Sequence, residues 1–246
     1  MNIDLKRYME KRVYPYVGNS IRENLESLME PIISKKRSII KNKIPAVVGL
    51  SGGADSIATL FLAKKMGFDP IAVTLEYGSL FYNHNYRKNI KTIVKKLGVK
   101  SIFVPIDKKY FRLITKDLKN DKKPCKLCVK IKVKQLENIC KKRRISFLII
   151  GDMASRNNPI EVINKRLVRI NLPSLFRVNE SNMIDISKKV IRENVIYACP
   201  VPSILKRYDI KLNDEQKVFW IKKLLNWREN LDKLETLELL KNVVDS

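Results

Sequence analysis

Four short apolar runs, at residues 45–50, 70–75, 100–105 and 145–150, punctuate the chain after a polar, lysine-rich opening. Each is too short for a helix and is bounded by glycine, proline or charged residues, which is the pattern of a strand buried on both faces. Behind the first three, apolar residues recur at helical spacing over 56–66, 86–97 and about 108–118. A fourth helical pattern, Val129–Lys141, precedes the last run. Strand–helix alternation of this kind predicts an α/β fold: a doubly wound parallel sheet with helices on both faces. Ligands then gather at the carboxyl ends of the strands, near the point where strand order reverses. Four loops meet there: Ser51–Ser56, Glu76–Asn85, Pro124–Cys128 and Gly151–Pro159.

The flanks read differently. Residues 1–43 form a basic helical segment, with Ile21, Leu25, Leu28 and Ile32 on one face behind a capping box at Ser20–Glu23. Pro31 predicts a break or kink there. After Pro159 the periodicity weakens. Arg166–Ile170 reads as a strand and Asp185–Glu193 as a short helix. Asn213–Gln216 opens helices near 214–226 and 229–242. The expected organisation is a segment 1–43, a nucleotide-binding domain 44–205 and C-terminal helices 206–246.

The first strand runs into Ser51-Gly52-Gly53-Ala54-Asp55-Ser56. Two adjacent glycines let backbone N–H groups close around an anion, and the helix behind points its positive end at the same spot. Ser51 and Ser56 add hydroxyls, and the Asp55 carboxylate suits Mg²⁺. The four-residue spacer and Gly-Lys-Ser/Thr ending of the common P-loop are absent. The string resembles the signature of PP-loop ATP pyrophosphatases, a family that cleaves ATP between its α- and β-phosphates.

Charge sharpens the picture. The chain carries 50 Lys and Arg against 25 Asp and Glu, a net charge of +25, which is the electrostatic footprint of a polyanion binder with nucleic acid first in line. The cations are dispersed, as at Lys35-Lys36-Arg37 and Lys141–Arg144. No apolar run approaches the length of a membrane span, and the N-terminus has no signal-peptide pattern, so a cytoplasmic protein with no membrane association is expected.

Four cysteines in 246 residues make no disulfide scaffold, so they are read as thiols. Cys140 shares a helical face with Val129, Val133 and Leu136 and reads as a core cysteine. Pro124-Cys125-Lys126-Leu127-Cys128 could serve a zinc knuckle, an iron–sulfur site or a redox dithiol. Cys199-Pro200 lies far downstream, and the single histidine, His84, is not near either. Three thiols are one ligand short of a closed zinc site; a [4Fe–4S] cluster with one iron open to sulfide fits the count better.

In this order, a PP-loop, Pro-Cys-x-x-Cys opening a helix, a strand ending at Gly151 and a late Cys-Pro resemble the iron–sulfur branch of tRNA thiolation enzymes. These are the 2-thiouridine and 2-thiocytidine synthetases, and the likeness spans about 45–202, including Arg169–Pro173 and Val195–Pro202. The resemblance implies ATP, Mg²⁺ and a [4Fe–4S] cluster as cofactors. Cys125, Cys128 and Cys199 would be the cluster ligands, and Lys132, four residues past the second cysteine, a functional lysine. ATP would lie on Ser51, Gly52, Gly53, Asp55, Ser56 and Gly151. Asp55, Lys132 and Asp152 would be the catalytic candidates, with tRNA and a sulfur donor (sulfide or a carrier protein) as partners. A homodimer is left open. The family's Gly-His-Asn-x-Asp-Asp after the fourth strand is here Gly151-Asp152-Met153-Ala154-Ser155-Arg156. The zinc module of the 2-thiouridine branch has no counterpart in residues 1–43, which contain no cysteine. Two other readings share the ATP site: a PP-loop enzyme working on a small molecule, by amidation or sulfur transfer, and a catalytically silent RNA-binding relative.

Overall fold

The computed structural model describes residues 5–34, 43–78, 86–120, 124–152, 159–191 and 199–227, with Lys241 and Val244. His84, Ser155, Arg156, the Lys35–Arg37 cluster and most of the expected 229–242 helix lie outside them.

The described strands are β1 (Ile44–Gly49), β2 (Phe68–Glu76), β3 (Lys100–Pro105), β4 (Phe147–Ile150), β5 (Ile160–Asn164) and β6 (Leu167–Asn171). They form one sheet in the order β3-β2-β1-β4-β6-β5. Every pairing is parallel except the outermost, β5 with β6, which is antiparallel. The expected doubly wound parallel sheet is present, with one antiparallel edge strand added to it. Successive strands are added to one side of β1 and then, from β4, to the other, so the crevice for a ligand opens where β1 and β4 end.

Helices cover both faces, as the period-2 alternation of the strands requires. Ala46 and Val48 of β1 join one apolar cluster with α3 (Ala54–Lys65) and α4 (Tyr86–Leu97). Val47, between them, joins the opposite cluster with Leu136, Ile139 and Cys140 of α6 (Cys125–Arg143). Cys140 is fully buried, as expected, but Val129 is 43% exposed and does not share its environment. The difference follows from place along the helix: Val129 stands near the amino-terminal end of α6, well ahead of the sheet-packed Leu136, Ile139 and Cys140.

The N-terminal helices α1 (Leu5–Arg12) and α2 (Asn19–Ser34) belong to the first cluster through Met9, Ile21, Leu25 and Leu28. Two hydrogen bonds tie this segment to the β5–β6 edge, Tyr8 Oη to the Ile160 carbonyl at 2.6 Å and Gly18 N–H to the Lys165 carbonyl at 3.2 Å. Helix α2 starts ahead of Ser20, because the Gly18 carbonyl already accepts from the Ile21 and Arg22 N–H groups. It also runs through Pro31 to Ser34. The expected capping box and break are therefore both corrected. Proline is best tolerated in a first turn, so Pro31 removes one hydrogen bond near the carboxyl end of α2, and the buried leucines upstream hold the helix in place.

Beyond β6 come α7 (Leu172–Phe176) and α8 (Glu180–Lys188), with α8 starting five residues earlier than the sequence pattern suggests. The remaining helices are α5 (Lys109–Lys119), α9 (Val201–Arg207) and α10 (Asp214–Trp227). They enclose a third cluster around Tyr77, Tyr110, Ile204 and Trp220 at the carboxyl ends of β2 and β3. No helix among the described residues is long and apolar enough to cross a membrane.

Candidate functional site

The loop after β1 is held open from beneath. The Thr74 hydroxyl donates to the Leu50 carbonyl at 2.8 Å, and the Tyr86 hydroxyl to the Ser51 carbonyl at 3.1 Å. Gly52 takes φ +83°, a conformation that side chains disfavour, so the first glycine is required by the turn itself. Gly53 is the N-cap of α3 in extended geometry, with no side-chain cap on the helix start. The end of α3 thus presents backbone N–H groups and its dipole to the crevice.

Ser56 has a different task from the one its position suggests. Its Oγ accepts from the Ser51 N–H at 3.2 Å and donates to the Gly53 carbonyl at 2.8 Å, with Ser51 Oγ at 3.3 Å. Ser56 is buried, so it clamps the two arms of the loop, while Ser51 stands exposed at the rim. Asp55 is half-buried in the first turn of α3, the place for a metal-bearing carboxylate beside a phosphate.

Gly151 ends β4 directly against that turn. A Cβ there would lie 2.4 Å from Thr59 Oγ1 and 2.8 Å from the Asp55 carbonyl oxygen. Asp152 follows, its backbone carbonyl accepting from Asn171 Nδ2 at 2.7 Å across to β6. The structure therefore brings Ser51, Gly52, Gly53, Asp55, Ser56, Gly151 and Asp152 to one mouth between β1 and β4.

Cys125, Cys128 and Cys199 form no disulfide, are half-buried and each pack against the same apolar cluster, although 71 residues separate the second from the third. Pro124 opens α6, its carbonyl accepting from the Cys128 N–H at 2.8 Å. The Tyr110 hydroxyl and the Cys128 sulfur lie 3.1 Å apart, either able to donate. One turn on, Lys132 stands over the ring of Tyr77, Nζ 5.4 Å from its centroid. Cys125, Cys128 and Lys132 follow an i, i+3, i+7 pattern and share one helix face.

Burial pushes the Tyr77 hydroxyl well above its ordinary range, opposed by the Lys132 ammonium. Tyr110 is likewise raised, by burial first and then by Tyr77 and Cys128. Both phenols stay protonated at neutral pH. Burial, then Glu137, pushes the Cys140 thiol up to about 12, the behaviour of an inert core residue.

Among the described residues no three His, Cys, Asp or Glu side chains converge as a ready-made site for a single ion. One carboxylate, Asp55, is what Mg²⁺ takes from a protein when substrate phosphates supply the rest. Three soft thiolate donors in an apolar shell suit an iron–sulfur cluster in chemistry.

Sequence reasoning misses Tyr77, Tyr110, Thr59 and Asn171. Tyr77 alone left a signal, standing just after β2 where ligands collect.

The chain matches the family model of the queuosine biosynthesis protein QueC over residues 45–151. That stretch contains the Ser51–Ser56 loop, and the match supports a PP-loop ATP pyrophosphatase-like enzyme. An uncharacterized protein of Methanocaldococcus jannaschii, MJ1638, is 28% identical over 203 residues, covering 78% of this chain and 75% of that one. The tRNA-specific 2-thiouridylase MnmA of Streptococcus pyogenes is 35% identical over 77 residues, 28% of this chain. The matched part spans only 20% of the thiouridylase. Among solved structures, a predicted subunit of tRNA methyltransferase from Methanocaldococcus jannaschii shares the fold, with TM-score 0.51 and 18% identity over 68% of this chain and 88% of that one. A likeness to the U34-tRNA thiolase NcsA from Methanococcus maripaludis with its [4Fe–4S] cluster covers 92% of this chain and 78% of that one at 16% identity. Its TM-score, 0.47, is too low to bear on function.

Proposed function

We propose that this PP-loop enzyme is an ATP-dependent sulfur transferase acting on a base of tRNA. The reading is supported by Cys125, Cys128 and Cys199 each packing against one apolar cluster, at the carboxyl ends of strands next to the mouth between β1 and β4. A fold needing only an ATP site has no call for three half-buried thiols from distant segments there.

A base carbonyl oxygen is a poor leaving group. Its attack on the α-phosphate of ATP turns it into an adenylate and releases pyrophosphate; sulfur then replaces the adenylated oxygen and AMP departs. In this reading the Gly52–Ser56 loop and the start of α3 hold the phosphates, and Asp55 holds Mg²⁺ against the departing charge. Lys132, kept forward by the Tyr77 ring, would offset negative charge near the base. Asp152 would move a proton or share the metal. Cys125, Cys128 and Cys199 would carry a [4Fe–4S] cluster, which when bound supplies an iron open to sulfide.

Three measurements on the anaerobically purified protein test the proposal. Iron and sulfide should be present, and the colour should be lost on Cys128→Ala but kept on Cys140→Ala. ATP should yield AMP and pyrophosphate. Affinity for tRNA should fall on the order of 10³-fold between about 50 and 200 mM salt if about six phosphates are neutralised. Stoichiometric zinc without iron, or ADP as product, overturns it. Absence of tRNA binding at low salt moves the substrate to a small molecule, a reading the QueC family match also accommodates.

A further inference from the structure

A cavity of about 470 Å³ opens beside the thiol cluster, lined by Ile106, Lys108, Phe111, Arg112, Thr115 and Tyr208. Its volume is in the range of small-ligand pockets, about 300–1,000 Å³. The Lys108, Phe111, Arg112 and Thr115 positions recur at three and four residues, so one face of α5 forms a wall. Tyr208, just past α9, forms the opposing side and is 42% exposed. The Thr115 hydroxyl oxygen is buried and has no hydrogen-bond partner among the described residues.

Charge here is one-sided. Lys108 and Arg112 are exposed cations on the cavity itself. The neighbouring Asp107 turns inward to its own helix, its Oδ1 accepting from the Lys109 N–H at 2.8 Å. The lining thus combines two aromatic rings and two cations, which together select a flat ring carrying a phosphate.

The location narrows the ligand. Phe111 meets Tyr110 at a centroid distance of 5.4 Å and Tyr77 at 6.4 Å. Tyr110 in turn touches Cys128. Two aromatic side chains in succession, Phe111 and Tyr110, thus lead from the cavity to Cys128.

We infer that this cavity is a nucleotide subsite for single-stranded RNA, and the inference rests on the RNA-acting function proposed above. One base of the substrate strand stacks between Phe111 and Tyr208. Lys108 and Arg112 hold the adjoining phosphate. Stacking platforms flanked by cations are the common device for holding an unpaired strand. The subsite anchors a nucleotide neighbouring the one that reaches the thiols.

The test is tRNA binding and ATP binding by the full-length protein and three variants. Tyr208→Leu removes the ring without changing charge and should weaken tRNA binding about tenfold, the scale of one lost base stack. Lys108→Ala with Arg112→Ala should weaken it and lower the salt slope by about 1. Lys116→Ala with Lys119→Ala, an equal charge change on the same helix outside the cavity, should have a clearly smaller effect. ATP binding should be unchanged in all three. If wild type binds tRNA and the cavity variants bind within twofold of it, or if the two double variants lose equally, the subsite is wrong while the RNA function stands. If wild type binds no tRNA at low salt, the underlying reading fails first.

Discussion

Gly151 packs against Thr59 so tightly that a Cβ at position 151 would come within 2.4 Å of the threonine hydroxyl oxygen. Two strands that end side by side are thereby locked to the first turn of the helix behind the PP-loop. Gly151→Ala should push α3 away, cost about 1–3 kcal/mol of stability and weaken ATP binding. Adding Thr59→Ala should recover only part of the loss, because the Asp55 carbonyl oxygen would still lie 2.8 Å from the new methyl. Calorimetric titration with ATP and urea unfolding of the three proteins check this.

Ser56→Ala removes the clamp between Ser51 and Gly53. The expected cost is about 1 kcal/mol of stability, from a buried hydroxyl with two partners, and a drop of about tenfold in ATP affinity. Asp55→Ala should instead leave stability nearly unchanged and lower Mg²⁺-dependent AMP formation by at least ~10²-fold. Similar behaviour of the two variants would mean that Ser56 touches the nucleotide directly.

The parts legible in the sequence are those in which one physical rule dominates. Strands β1, β2 and β4 lie inside the sheet and bury most of their residues, so apolar runs mark them; β3 is a half-buried edge strand whose run is still mostly apolar. The Gly52 turn has no cheaper residue than glycine. Strand β5 escapes because its hairpin to β6 carries no glycine. The Asn164 side chain makes the turn instead, Oδ1 accepting from the Arg166 N–H at 2.8 Å. Helix α8 is misplaced for a related reason: its capping box pairs Asn179 with Asn182, where the usual pattern has Glu or Gln at the second site. At the site, residues whose chemistry is local to a motif could be read directly. Tyr110 and Thr59 could not, since they matter only through what the fold sets beside them.

Glu137 is a buried carboxylate on α6, paired with Arg169 Nη1 of β6 and with Lys134 Nζ, each at 3.2 Å. Arg169 also pairs with Glu161 on β5. Arg169→Met should destabilise by about 3 kcal/mol or more, because it strips a buried charge of its better partner. Glu137→Gln in the same chain should restore most of that. Urea unfolding of both variants decides it; a cost below about 1 kcal/mol for Arg169→Met alone would show that water reaches Glu137.

Cys140 should make stability fall at alkaline pH. Its folded-state thiol titrates near 12 against an ordinary value of 9.0, so the protonated form is favoured by folding. The contribution is complete below about pH 9, where both states are protonated, and is lost as pH rises towards 12. Over that window wild type should lose about 1.4 kcal/mol per pH unit more than Cys140→Ala, whatever the offset caused by the cavity. Parallel curves would place the thiol in contact with solvent. Thiol alkylation of the native metal-free protein near pH 8 should likewise label Cys125 and Cys128 and spare Cys140.

Helix α6 carries Cys125, Cys128 and Lys132 near one end and the sheet-facing Leu136, Ile139 and Cys140 near the other, with no break between. The spacing of the reactive groups is thus set by helix pitch and anchored by the core. Inserting one residue between Cys128 and Leu136 would turn the thiols by about 100° relative to the sheet. Change at this end of the molecule can come by exchanging side chains, while added or deleted residues would aim the thiols at solvent.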